Sequence, residues 1–193
     1  MKLAKADFAH RLNVLVWRQR HREGEHQALC FGALEGCRNQ FLPAPINPFQ
    51  MKFYSKRIDE IYIDVSSEKI LENFKNYFKE GFDIIIDDAS HNLRDILITL
   101  PILFKKLNPG GFYVIEDIDQ FKVFKNLNPT NEELTPLKIL KHMHNKKEFQ
   151  SDFISGEDIR YLKENISEYF FEKGEMVMNE HNISDIVFLK KNA

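Results

Sequence analysis

Two short apolar runs, Phe82 to Ile86 and Phe112 to Ile115, stand out along the chain, and each ends in adjacent carboxylates, Asp87-Asp88 and Glu116-Asp117. Phe82, Ile84, Ile85 and Ile86, then Phe112, Tyr113, Val114 and Ile115, are aromatic or β-branched without polar alternation, which predicts strands buried on both faces. Between them Leu93, Ile96, Leu97, Leu100, Phe104 and Leu107 recur at helical spacing, and Asn108-Pro109-Gly110-Gly111 supplies a stop and a turn. The pattern predicts one strand–helix–strand unit. A right-handed crossover lays its strands parallel and brings both acidic pairs to the same carboxyl edge, where open α/β sheets bind ligands.

Two further helices are expected downstream. Thr130-Asn131-Glu132-Glu133 has the form of a capping box opening a helix through Lys147, and Ser155-Gly156-Glu157-Asp158 opens a shorter one. Both would roof the crevice. Phe121, Phe124, Phe149 and Phe153 either line an apolar acceptor pocket or pack in the core, the second being commoner for aromatics at this density. Near the start, Ala6 to Arg20 has Phe8, Leu12, Leu15 and Val16 on one side of an amphipathic helix.

Four carboxyl groups in one crevice would repel one another unless a cation compensated them, so a divalent metal is inferred. Asp88-Ala89-Ser90-His91 adds an imidazole, and histidine titrates near neutrality, so His91 is a candidate to take a proton from a substrate hydroxyl. A plainer alternative stays open: Asp88 or Ser90 caps the helix that starts near Leu93, and His91 donates to a nearby carbonyl.

Asp-Asp-Ala-Ser-His after an apolar strand, then a helix, Leu-Asn-Pro-Gly-Gly and Tyr-Val-Ile-Glu-Asp, resembles the class I S-adenosylmethionine-dependent methyltransferases, and within them the metal-dependent macrolide-sugar O-methyltransferases of the mycinamicin and macrocin type. Ile46-Asn47-Pro48 is similar to the end of that family's second strand, Glu60 to Ser67 to its third strand and the acidic turn behind it. Glu168 to Lys173 and Asp185 to Lys190 are similar to the sixth and seventh strands. The resemblance implies a three-layer α/β/α Rossmann-like fold, its sheet mostly parallel with the last strand inserted antiparallel. It implies Asp88, Asp117 and Glu116 as metal ligands, His91 as general base, and Asp64, Asn47 and Asp87 on the cofactor side. The cofactors would be S-adenosylmethionine and a divalent metal, magnesium by analogy, and the acceptor a hydroxyl of a sugar or glycosylated small molecule. A catalytically inactive binding module and a metal-dependent hydrolase or hydroxylase on the same sheet are the rival readings.

The family pattern breaks upstream. Its first strand runs into a glycine-rich turn and its second ends in an acidic residue; here Pro45 precedes Ile46, and the only upstream glycines are Gly24, Gly32 and Gly36. Phe31 to Gly36 is a faint match to the turn, but only nine residues separate Gly36 from Ile46, too few for a helix and a second strand. Composition changes at the same place: five Arg and two Lys before residue 51, three Arg and seventeen Lys after it. Residues 1–45 are therefore expected to be an atypical segment, foreign or divergent, ahead of a methyltransferase-like domain at 46–193. An intact first strand and glycine-rich loop are not expected.

The remaining composition narrows the function classes. Of 193 residues 43% are hydrophobic and 29% charged, ordinary for one soluble domain. A net charge of −2 provides no broad basic field, so nucleic acid is not an expected partner. Cys30 and Cys37 make neither a disulfide framework nor a common zinc pattern, which suits a reducing cytoplasm. No apolar stretch reads as a membrane span or cleavable signal, and self-association into a homo-oligomer is compatible with all of this.

Overall fold

The computed structural model describes residues 11–21, 24–33, 58–64, 73, 81–88, 91–120 and 134–193, the first three stretches by their backbone. Strands β1 (Arg11–His21), β2 (Gly24–Ala33), β3 (Ile58–Asp64), β4 (Phe82–Asp88), β5 (Leu107–Ile115), β6 (Ile166–Glu172) and β9 (Ile186–Lys191) form one seven-stranded sheet in the order β3-β1-β2-β4-β5-β9-β6. Helices α1 (Leu93–Phe104), α2 (Pro136–His144) and α3 (Gly156–Asn165) and a small ribbon of β7 (Val177–Met178) and β8 (His181–Asn182) complete the described elements.

The strand–helix–strand unit predicted from the apolar runs is present, and β4 pairs with β5 in parallel. β9 lies antiparallel between β5 and β6, the expected inserted last strand. Five strands (β2 to β6) point the same way and β1 and β9 oppose them, which follows from the pairings along the order. This is a Rossmann-like α/β sheet.

Its N-terminal side departs from the expectation. Instead of a helix over Ala6 to Arg20, Arg11–His21 is a strand paired on both sides, with β2 and with β3. Leu12, Val14 and Val16 alternate at period two as well as falling on a helical stripe, and β-branched valine and aromatic Trp17 favour the pleated solution once strands flank it. β2 lies parallel to β4, in the slot of a first strand, with Gly32 opposite Asp88 in register. The neighbouring slot, a second strand's, is filled by β1 from upstream, running antiparallel. Nine residues after Gly36 are too few for a helix and a second strand, and the hairpin instead supplies the neighbouring strand from before β2. Gly36 and Pro45 to Pro48 lie outside the described residues.

Helix α1 has its side chains buried nearly all round, with Leu93, Leu97, Leu100, Leu103 and Phe104 fully inaccessible. One side meets β4 and β5 and the other meets α2 and α3, so the latter two pack over α1. Each fully buried leucine is worth roughly 1.5–3 kcal/mol relative to exposure. Phe149 and Phe153 pack against this core, while Phe121 and Phe124 lie outside the described residues. The prediction of double-sided burial holds for the α1 face of β4, where Ile85 is fully buried, whereas Ile84 on the opposite face is 41% exposed.

One helix start and one turn are also corrected. α2 begins at Pro136 with Thr135 as its cap, accepting from the Lys138 amide at 3.2 Å, and residues 130–133 lie outside the described residues. Pro136 suits the first helical position, where its missing N–H has no partner to lose. α3 starts as predicted, Ser155 Oγ accepting from the Asp158 amide at 3.1 Å. Asn108 to Gly111 is not a turn but the irregular opening of β5, with a register shift against Phe82/Ile84. Gly110 has φ +76° there, and a Cβ on Gly111 would stand 2.8 Å from the Asp83 carbonyl, so both positions need glycine.

Candidate metal centre at the carboxyl edge

The two parallel strands β4 and β5 bring their carboxyl ends side by side, and the ladder continues past them because the Glu116 amide donates to the Asp87 carbonyl at 3.0 Å. Adjacent residues on a strand face opposite ways. Asp87 therefore shares the α1 side of the sheet with Ile85 and is 2% exposed, while Asp88 turns the other way and is partly open.

Asp88, His91 and Asp117 converge. One ligand atom from each lies within 4.8 Å of the others, with His91 Nε2 at 3.7 Å from Asp88 Oδ1 and 4.0 Å from Asp117 Oδ2. The side chains are 44%, 17% and 29% exposed, respectively, so the group is reachable from solvent without being loose in it. Among the described residues this is the cluster suited to an ion.

The plainer reading of Asp88 as a helix cap is not what the chain does. Asn92 caps α1, its Oδ1 accepting from the Arg94 amide at 3.0 Å. Ser90 lies outside the described residues. His91 instead takes φ +52° and Asp117 φ +51°, the left-handed region. Histidine and aspartate enter that region more readily than most side chains, at a cost of order 1 kcal/mol or more, and such residues gather at functional sites.

Electrostatics mark the same spot. Burial pushes the Asp88 carboxyl up, His91 pulls it back, and Asp117 pushes it further. Glu116 is raised by burial first and then by the charges of Asp88 and Asp117. Asp87 is pushed up to about 7, chiefly by desolvation, against which the hydrogen bond from Tyr113 Oη at 2.8 Å works. An acid crowded by like charges is one that a cation would relieve.

The expectation of four carboxylates in one crevice thus resolves into two carboxylates and an imidazole. Glu116 senses the group but stands outside it, and Asp87 is committed to Tyr113 in the interior. Asp64 ends β3 on the same carboxyl edge, three strand spacings from β4 and so about 14 Å away. Asn47 lies outside the described residues. His142 and His144, two apart on α2, part company: His142 lies against Phe149, and His144 against Tyr169 and Phe171.

One neighbour escaped the sequence reading. Gln120 Nε2 donates to Asp117 Oδ2 at 2.6 Å. An acid and an amide three residues apart just after a strand are the only signal of it in the sequence.

The donor set fits a hard divalent cation, which prefers carboxylate oxygen, and the imidazole widens the choice towards transition metals. Asp88 and Asp117 would hold such an ion, and His91 stands against both.

No family model matches the chain. A stretch of 36 residues is 50% identical to the 8-demethyl-8-alpha-L-rhamnosyl tetracenomycin-C 2'-O-methyltransferase of Streptomyces olivaceus, covering 19% of this chain and 10% of that enzyme. Among solved structures, the MycE methyltransferase of the mycinamycin biosynthetic pathway in complex with Mg and SAH superposes with a TM-score of 0.45 at 22% identity, covering 66% of this chain and 30% of that one. An rRNA methylase from Streptococcus thermophilus superposes with a TM-score of 0.33 at 13% identity, covering 64% of this chain and 54% of that one. The chain matches only a tenth of the length of its curated relative. Over those 36 residues the sequence resembles that of an O-methyltransferase.

Proposed function

We propose that the chain is a divalent-metal-assisted O-methyltransferase that uses S-adenosylmethionine and acts on a hydroxyl of a sugar or glycosylated small molecule. The observation that carries this reading is the meeting of Asp88, His91 and Asp117 at the carboxyl edge of two parallel strands. The half-identical stretch shared with a rhamnosyl O-methyltransferase supports a sugar hydroxyl as acceptor.

In the proposed reaction a bond forms between the acceptor oxygen and the methyl carbon while the bond from that carbon to the sulfonium sulfur breaks. The hydroxyl proton passes to His91 Nε2, leaving methylated acceptor and S-adenosylhomocysteine. A bound divalent ion would make the hydroxyl more acidic and stabilise its developing negative charge. Asp88 and Asp117 would hold that ion, and His91 serves as the base because its Nε2 stands beside both carboxylates, 3.7 Å from Asp88 Oδ1 and 4.0 Å from Asp117 Oδ2. The donor would lie along the carboxyl edge from Asp64 towards Gly32 and Asp88, with the backbone at Asp87 on its side.

His91→Ala is the direct test. Methyl transfer should slow by about 10²–10⁴-fold while affinity for S-adenosylmethionine, measured by calorimetry, is unchanged. Full turnover in that variant would remove His91 from the role. One observation favours a second reading, a catalytically inactive module that still binds metal. Because β1 runs antiparallel, it presents its first residue, Arg11, opposite Asp64 at the edge where the resembling enzymes have the acidic end of a second strand. No heat with S-adenosylmethionine at millimolar concentration from a folded sample would favour the inactive module. Binding followed by a product other than methylated acceptor would point to hydrolase or hydroxylase chemistry.

A further inference from the structure

The five residues after β5, Glu116 to Gln120, form a short loop anchored at several points. The Glu116 amide is held by the Asp87 carbonyl at 3.0 Å, the Ile118 amide by the Asp185 carbonyl at 3.2 Å, and the Gln120 amide closes the turn onto the Asp117 carbonyl at 3.1 Å. Ile118 and Asp119 are wholly buried, so the loop is fastened to the body of the domain immediately after Asp117. Asp117 sits at its apex in the left-handed conformation.

A backbone held this way fixes where the Asp117 carboxylate starts but not how it is rotated. That freedom is removed by Gln120, whose Nε2 donates to Asp117 Oδ2 at 2.6 Å. The same oxygen is the one 4.0 Å from His91 Nε2. Turning the carboxylate would break the hydrogen bond from the Gln120 amide and move the oxygen off His91 together. The donor is also neutral. A lysine or arginine here would hold Asp117 as well, but would add positive charge beside a site that has to attract a cation.

We propose that Gln120 is a positioning residue of the metal centre: by donating to Asp117 Oδ2 it sets the carboxylate for metal binding without altering the charge of the site. The proposal rests on the metal-centre reading of Asp88, His91 and Asp117 given above. Hydrogen-bond partners of a ligating group orient it, and their removal typically weakens metal affinity by about 10–100-fold.

The test is a double-mutant cycle on the full chain, with Mn²⁺ as the probe and its free concentration read by electron paramagnetic resonance. Gln120→Met, of similar length and without the donor, should raise the Mn²⁺ dissociation constant roughly 10–100-fold, while the melting temperature in EDTA moves by less than about 2 °C. In an Asp117→Asn background the same substitution should change the constant by less than about twofold, because the group through which Gln120 acts has already been altered. Gln120→Asn, whose shorter amide cannot span to Oδ2, gives the same comparison should the methionine variant not fold. An unchanged Mn²⁺ affinity in folded Gln120 variants overturns the proposal, and so do additive effects of the two substitutions. Wild-type protein that leaves all Mn²⁺ free overturns the metal centre itself, a failure visible before any variant is made.

Discussion

The tips of β4 and β5 look alike in sequence, each an apolar run closing on two acids, yet they deliver their ligand by different means. At the β4 tip simple strand alternation does it: Asp87 goes to the α1 side and Asp88 to the other. At the β5 tip the first acid, Glu116, is still in the ladder, and the second is brought round by a left-handed backbone step and a tight turn. An acidic pair at a strand end therefore supplies one carboxylate to a site. The other must find separate compensation, and Tyr113 provides it for Asp87.

Matched substitutions test that equivalence. Asp88→Asn and Asp117→Asn should each weaken Mn²⁺ binding by more than about a hundredfold, since losing a ligand exceeds losing its partner; a loss at one tip alone would break the symmetry. Tyr113→Phe probes the inward acid. It leaves the buried Asp87 carboxyl without that donor and should destabilise the domain by about 1–3 kcal/mol in thermal or urea unfolding, with metal affinity unmoved. A shift in metal affinity comparable to that of Asp88→Asn would show that Asp87 belongs to the site after all. The smallest effect is expected at the other spare acid: Glu116→Gln should change Mn²⁺ affinity by no more than about fivefold, the scale of a solvent-screened charge. A larger loss would make Glu116 a ligand.

The sequence showed the strand–helix–strand unit and the three converging residues, because each depends on local pattern: apolar runs, a helical stripe, acids just past a strand; strands β3, β6 and β9 were reached in outline through the family resemblance. It did not show which acid of each pair turns inward. That follows from the phase of alternation, fixed only when α1 settles against Ile85 and Tyr113. Leu12 to Trp17 satisfied helix and strand periodicities together, and pairing with β2 and β3 decided between them. Asp88 looked like a cap until Asn92, four residues on, was seen in that place. Gln120 carries no motif at all; its bond to Asp117 exists only because the loop turns back on itself.

The left-handed backbone at His91 and Asp117 has one more consequence. Glycine would occupy either position with less strain, so a chain shaped for thermal robustness alone would carry it there. Keeping an imidazole and a carboxylate on those two bends surrenders some of the domain's resilience in exchange for chemistry, a trade that proteins make where they work rather than where they merely hold together.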